Sequence, residues 1–241
     1  MISPRDDLSA LRQRFLQQGR VLIPGIFEPA FAQSVLDAAC EHAGWLLVTR
    51  IEGRHREFDA AQMEQVPKDR LQTFDELVAQ EARKGFQYRF ERHLLYDNLR
   101  AGALAEGPLR SMAEALNSDA FIGLLHTVMS EPYVPGETFC DGQLTRYRAG
   151  HFLTSHDDGL PQFNRIAAFV VNLTPGWSAD LGGLLMFTGA DGHVEEAFTP
   201  KFNTLSLFRV PQPHAVSAVA PFARGARHAV TGWLRRGQPP A

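Results

Sequence analysis

Apolar residues recur on a helical period in the first half of the chain and in short, turn-bounded runs in the second. Leu8, Leu11 and Phe15 share one face of a helix that the pattern starts at Ser3-Pro4, with Asp6 in the first turn, and stops at Gly19. Residues 20–24 form a short apolar run and read as a strand. Glu28-Pro29 opens a second helix, with Phe31, Val35, Leu36 and Ala39 turned inward. Residues 45–51 read as another strand. Asn117-Ser-Asp119 can cap a helix whose buried side carries Phe121, Leu124, Leu125 and Val128. Residues 53–105 mix charges with weak periodicity; they predict a helix, a long excursion and some loop.

The character changes near residue 135. Residues 165–173 (RIAAFVVNL) are almost continuously apolar and β-rich, the signature of a central strand. Residues 184–187 and 193–198 flank Thr188-Gly-Ala-Asp-Gly192, a hairpin signal. Residues 204–208, 215–219 and 228–234 complete a set of short strands broken by Gly and Pro. Such a set points to a sandwich or jelly roll and away from a parallel sheet. With no linker, repeat or low-complexity segment, the expected organisation is one domain over 1–241. Residues 1–135 would supply helical support, within which 50–66 read as an unpatterned excursion that is either a mobile lid over the site or an exposed loop; residues 136–236 would form the core.

Composition changes this picture little. Of 241 residues, 44% are hydrophobic and 21% charged, which excludes a disordered chain. Two cysteines, Cys40 and Cys140, cannot make a disulfide framework and suit a reducing compartment. The first residues lack a signal peptide's basic start and apolar run, and no stretch is apolar enough to span a membrane; the expected location is cytoplasmic. A net charge of −3 gives no electrostatic case for nucleic acid. The charge is uneven, however. Residues 101–200 carry 4 basic and 12 acidic groups, while residues 201–241 carry 6 basic groups and no acid. An acid-rich stretch suits a cation, a basic tail suits an anion, and either can equally be a solvated surface.

Three places in the β half can carry chemistry. In Ser155-His156-Asp157-Asp158-Gly159, a strand would put His156 and Asp158 on one face and Asp157 on the other. A His and a carboxylate on one face can hold a divalent metal; a second His would complete a facial triad with open positions. Alone, His-x-Asp equally describes a surface turn. His214 follows Pro211 and Pro213 just before a strand, and alone reads as a turn histidine. Arg227 enters an apolar strand and needs a partner for its charge, either a structural carboxylate or an anionic ligand held bidentately.

Taken together, these residues resemble a known family. Tyr147, Gly150, Phe152-Leu153, His156-x-Asp158, Trp177, Gly182-Gly183-Leu184-Leu185, His214, Arg227 and Thr231-Gly232-Trp233 follow in the order of the Fe(II)- and 2-oxoglutarate-dependent oxygenases, prolyl 4-hydroxylase-like branch. Spacing holds too, with 56 residues from Asp158 to His214 and 13 more to Arg227. The resemblance covers roughly 138–236 and continues weakly upstream, where residues 116–125 resemble the family's support helix. It is closest to the members that hydroxylate a prolyl residue in a ribosomal protein or an elongation factor.

The resemblance implies a double-stranded β-helix, or jelly roll, mainly β with flanking helices. It implies Fe(2+) held by His156, Asp158 and His214, the C5 carboxylate of 2-oxoglutarate held by Arg227, Tyr147 lining the same pocket, and O2 as oxidant. Ascorbate is a further candidate cofactor. The Gly182-Gly183 pair would be a tight turn or bulge at close backbone approach. The implied reaction is hydroxylation of an unactivated C–H bond coupled to decarboxylation of 2-oxoglutarate to succinate. The pattern also departs from the family. Ala229 stands where a Ser is common, and Phe169-Val170-Val171 lacks a pocket Tyr that Thr231 or Asn172 would have to replace. The remaining histidines, His55, His93 and His126, read as structural or exposed; His151 can reach the pocket mouth, and His228 should face away from it. Three functions stay open: a protein or peptide prolyl hydroxylase, the same chemistry on a free amino acid or small metabolite, and a noncatalytic or zinc-binding jelly roll on the same three ligands. Arg227 argues against the last, because a zinc site needs no dicarboxylate clamp.

Overall fold

The structure, a computed structural model, describes residues 1–238. It begins with α1 (Leu8–Gln18), which buries Leu11 and Phe15 and ends on Gly19 in the left-handed region. The helix starts later than the Ser3-Pro4 signal predicts. Ile2 bridges Phe27, Ser3 N–H donates to Ile26 O at 3.1 Å, and Arg5 clasps Asp7, so tertiary pairing holds the first residues extended. There follow β1 (Arg20–Pro24), α2 (Pro29–Glu41), β2 (Leu46–Ile51), β3 (Arg54–Asp59), α3 (Ala60–Met63), α4 (Lys68–Lys84), β4 (Tyr88–Leu94), α5 (Leu95–Arg100), α6 (Pro108–Leu116) and α7 (Asp119–Met129). Then come β5 (Thr138–Tyr147), β6 (Phe152–His156), β7 (Arg165–Asn172), β8 (Leu185–Thr188), β9 (Val194–Phe198), β10 (Thr204–Arg209), β11 (His214–Val216) and β12 (Arg227–Arg236).

All strand pairings are antiparallel, in the order β1-β10-β7-β12-β5-β4-β6-β11-β8-β9, with β2 pairing both β3 and β4. Because β4 pairs both β5 and β6, the sheet turns the corner there and folds β6-β11-β8-β9 over the rest. The result is a nearly closed, barrel-like jelly roll with flanking helices, as the sequence leads one to expect.

The near-continuous apolar run of β7 now has its reason, since both faces of the strand are buried. Phe169 and Val171 lie with Phe15, Met112, Leu116, Phe121 and Leu125 under the helices. Ala168 and Val170 face inward with Phe187, Phe208 and Ala229. Each fully buried large side chain contributes about 1.5–3 kcal/mol by removal from water, so the helices and the sheet hold each other in register. Ser118 caps α7 as predicted, its hydroxyl accepting from Phe121 N–H. Leu124 is only partly buried, and Ile122 takes its place in the core.

Residues 50–66 differ most from expectation. They are not an unpatterned excursion; they are the β2–β3 hairpin followed by α3, in register from Leu46↔Asp59 to Ile51↔Arg54.

Candidate metal centre

His156 ends β6 and His214 begins β11, and the two are direct partners across the antiparallel ladder. Their rings stand 4.2 Å apart between centroids. Each Nδ1 lies against a backbone carbonyl, Thr154 O at 3.0 Å and Gln212 O at 2.8 Å. A carbonyl can only accept, so each Nδ1 carries the proton and each Nε2 presents a lone pair to the space between them. Burial, and then His156, push the His214 pKa down to about 4, which keeps that ring neutral.

Asp158 arrives by a route that the sequence reading did not foresee. It lies beyond the end of β6, in the left-handed region at φ 62°. This backbone turn, and not strand alternation, swings its carboxylate back to the histidines. Its Oδ1 is 3.6 Å from His156 Nε2 and its Oδ2 is 3.5 Å from His214 Nε2. The three side chains place their ligand atoms within 4.8 Å of one another. Asp157 is also on the cavity wall, contrary to the expectation that it points away, but its Oδ1 accepts Gly159 N–H at 2.9 Å and it is outside that cluster.

Two residues hold the Asp158 carboxylate that motif reasoning did not place at the site. Arg165 Nη1 donates to Oδ1 at 3.1 Å, and Trp233 Nε1 donates to Oδ2 at 2.8 Å. A basic residue at the start of an apolar strand, seven positions after Asp158, is the signal that could have found Arg165.

These groups open into a cavity of about 770 Å³ that also contains Tyr147 and Arg227. Arg227 opens β12 directly opposite Tyr147 on β5, and its guanidinium lies 5.3 Å from the Tyr147 ring centroid. It is only 2% exposed, and burial lowers its pKa. Its Nε and Nη1 are buried with no hydrogen-bond partner, and among the described residues no carboxylate forms an ion pair with it. Such a group lacks the compensation that burial of a charge demands, and an anionic ligand would supply it. The same burial raises the Tyr147 pKa.

The Gly182-Gly183 pair sits beside this pocket. A Cβ on Gly182 would stand 2.0 Å from Ala218 O, and one on Gly183 would stand 3.3 Å from Arg227 Cδ. Trp177 Nε1 donates to Gly182 O at 2.9 Å, which fixes the turn against the arginine. Of the candidate substitutes for the absent pocket Tyr, Thr231 lies on the cavity wall. Asn172 does not; it bonds Thr204 and Ser206.

The other histidines separate. His228 packs against Trp45, away from the cavity, as alternation predicts. His93 lies tilted against His42 with ring centroids 4.1 Å apart, and His126 bonds Thr138. His151 does not reach the pocket mouth; it is buried, and its pKa falls to about 3 through burial and the charges of Arg89 and Arg148. His55, read as structural or exposed, lines the cavity, with Nδ1 2.6 Å from the Tyr88 hydroxyl. The aromatic wall beside it, Phe86, Tyr88 and Phe90, also escaped the sequence reading, although its two-residue spacing was visible.

Comparison with known proteins agrees with the motif. Residues 142–235 match the model of the 2OG-Fe(II) oxygenase superfamily. The prolyl 3-hydroxylase OGFOD1 of Mus musculus is 32% identical over 105 residues, which are 41% of this chain and 19% of that protein. The match therefore spans about a fifth of the relative's length. Among solved structures, a Pseudomonas putida prolyl-4-hydroxylase superposes with a TM-score of 0.59 at 19% identity, covering 95% of this chain and 98% of that one. A Trichoplax adhaerens prolyl hydroxylase, in complex with a hypoxia inducible factor oxygen degradation domain peptide fragment, gives 0.60 at 15% identity, over 95% of this chain and 89% of that one. At these identities the structural likeness establishes the fold.

Proposed function

We propose that this chain is an Fe(II)- and 2-oxoglutarate-dependent oxygenase that hydroxylates a prolyl residue of a protein or peptide. One observation carries the reading: a cavity that joins a His-Asp-His donor set to a buried arginine whose Nε and Nη1 have no hydrogen-bond partner among the described residues. The residues fit both groups. Two neutral imidazoles and a carboxylate suit a divalent iron and leave positions open, and Arg227 suits the far carboxylate of a dicarboxylic acid. When bound, iron and cosubstrate supply dioxygen activation, inserting one oxygen atom into a C–H bond as 2-oxoglutarate goes to succinate and carbon dioxide.

The protein's part is geometry. The Thr154 and Gln212 carbonyls fix which nitrogen each histidine presents. Trp233 and Arg165 hold the Asp158 carboxylate in place. Arg227, locked between Tyr147 and Gly183, sets the length and charge of acid the pocket accepts. Val48, Phe90 and Val216, which line the cavity and cluster with Tyr147, make that end of it apolar and disfavour water around the guanidinium.

A zinc-only site would leave Arg227 with no role. The choice of a polypeptide over a free amino acid is supported by the mouth, where Phe86, Leu160 and Phe163 stay 41%, 48% and 36% exposed beside the cavity. Apolar side chains left exposed beside a cavity suit contact with another chain. It is supported too by the relatives, several of which are prolyl hydroxylases. The test is a screen of candidate proteins, peptides and free amino acids, following succinate release together with a mass gain of one oxygen atom. A gain on a prolyl residue within a polypeptide is expected; a gain on a free amino acid alone would contradict the substrate class.

A further inference from the structure

A column of rings runs along the cavity wall from Tyr147, beside Arg227, towards the mouth. Phe90 stacks on Tyr147 with centroids 5.1 Å apart, Tyr88 follows Phe90 at 5.7 Å, and Phe86 follows Tyr88 at 5.6 Å. The column ends at the mouth, where the Phe86 ring is 5.1 Å from the His156 ring. Over the same Phe86 ring, at 5.3 Å from its centroid, lies the guanidinium of Arg50.

Arg50 is held there from its backbone. The buried amide of Gln87 accepts from Arg50 N–H at 3.0 Å and donates to Arg50 O at 2.9 Å. The side chain donates once, from Nη2 to Gly53 O at 2.6 Å, and among the described residues no carboxylate pairs with it. The neighbouring arginines of the cavity are neutralised differently, Arg92 by Glu57 and Arg165 by Asp158. Arg54 and Arg56 do not join Arg50, because Arg50 stands directly opposite His55 across the β2–β3 ladder and alternation turns them to the other face. Arg50 is thus a cation held over an aromatic ring on the cavity wall, one ring away from a candidate metal ligand.

We infer that Arg50 receives a carboxylate of the substrate, so that the polypeptide modified here carries an acidic side chain close to the hydroxylated residue; this rests on the polypeptide hydroxylase reading. The two ring spacings and a rise of about 3.3 Å per extended residue put that acid within about three positions of the modified one. The planar fork of Arg50 matches a carboxylate, and Phe86 keeps the fork from turning away. Asp157 lines the same cavity and, among the described residues, has no ion pair, so the preference is for one acid placed at Arg50 and not for a polyacidic segment.

The probe is a set of fluorescein-labelled Ala/Ser peptides with one central Pro and with Glu, Gln or Lys at two or three positions to either side. Binding to the full chain is read by anisotropy, with and without added manganese(II) and 2-oxoglutarate. A Glu peptide in one register is expected to bind about tenfold tighter than its Gln counterpart at low salt, with the difference shrinking as salt rises. Arg50→Gln should abolish the difference, Arg50→Lys should restore part of it, and Arg50→Glu should favour the Lys peptide. Equal binding of Glu, Gln and Lys peptides, or a Glu preference that survives Arg50→Gln, overturns the inference while leaving the hydroxylase reading intact. If no peptide of any charge binds, the polypeptide reading itself falls with it.

Discussion

The Arg165 guanidinium lies 3.7 Å over the centre of the Trp233 ring, and the two side chains grip opposite oxygens of Asp158. Neither is a candidate ligand, yet together they set where the carboxylate points. Outer hydrogen bonds of this kind are worth 10- to 100-fold in metal affinity, as an order of magnitude. Trp233→Phe keeps the ring under Arg165 and removes only the N–H. It is expected to weaken metal binding by about tenfold, read by titrating manganese(II) against a competing chelator, with the melting temperature little changed. Unaltered affinity would mean that Asp158 is not positioned by this pair.

Removing a ligand should be harsher. His156→Ala, Asp158→Ala or His214→Ala each leaves two of three donors, and each is expected to abolish 2-oxoglutarate turnover with the fold largely retained by circular dichroism. Asp157→Ala is the control and should keep most activity, since its carboxylate serves the turn at Gly159. Full activity in any of the first three would break the triad.

The β half was legible because its chemistry and its packing are both local. The apolar run of β7 and the hairpin of β8 and β9 announce themselves, and His156, Asp158, His214 and Arg227 keep recognisable spacing. What stayed hidden did so for identifiable reasons. β3 reads RHREFD and is exposed along most of its length, so it has no apolar period to detect. β4 reads YRFERHL, and its charge masks a central strand because Glu91 is fully buried between Arg146 and Arg148. Asp158 looked like a strand residue, whereas a left-handed backbone turn delivers it. No one-dimensional pattern encodes either a buried ion pair or such a turn.

Buried neutral histidines make stability depend on pH. His151 has a pKa of about 3 in the fold, and His93 and His228 have pKa values of about 4, all depressed by burial from an ordinary 6.5. The unfolded chain therefore binds more protons between these values, so stability is full above pH 6.5 and falls as the pH drops towards 4. For His151 alone the loss at pH 5 is about 2 kcal/mol. The melting temperature should decline from pH 7 to pH 5, and His151→Leu should flatten that slope even if it lowers the pH 7 value. A slope unchanged by the substitution would contradict the assignment.

Gly182 has φ +69°, and a Cβ there would meet the Ala218 carbonyl oxygen at 2.0 Å. Gly182→Ala is expected to cost about 2 kcal/mol or more, from the left-handed backbone together with a clash against main chain that cannot rotate away. Because the turn backs Arg227 through Gly183 and Trp177, the surviving folded protein should also show a raised KM for 2-oxoglutarate. Thermal melting and steady-state kinetics on the one variant read both effects.

Arg227 separates the oxygenase account from a structural one. Loss of a buried, charge-assisted bidentate pair is worth about 1.5–3 kcal/mol per bond, so Arg227→Ala should raise the KM for 2-oxoglutarate by about a hundredfold or more. Lys should rescue poorly, for want of a planar fork. Manganese(II) affinity should hardly move, since Arg227 is not among the three donors. An unchanged KM would remove the cosubstrate assignment.

The most direct measurement needs no substrate. The full chain, held without oxygen, is given iron(II) and then 2-oxoglutarate, and its visible absorption is recorded. If the His-Asp-His donors and Arg227 serve one site, a weak visible band should appear only with both additions, and should be lost in Asp158→Ala and weakened in Arg227→Ala. Iron(II) binding with no band on adding 2-oxoglutarate would contradict the oxygenase account and favour a metal-binding jelly roll without this chemistry.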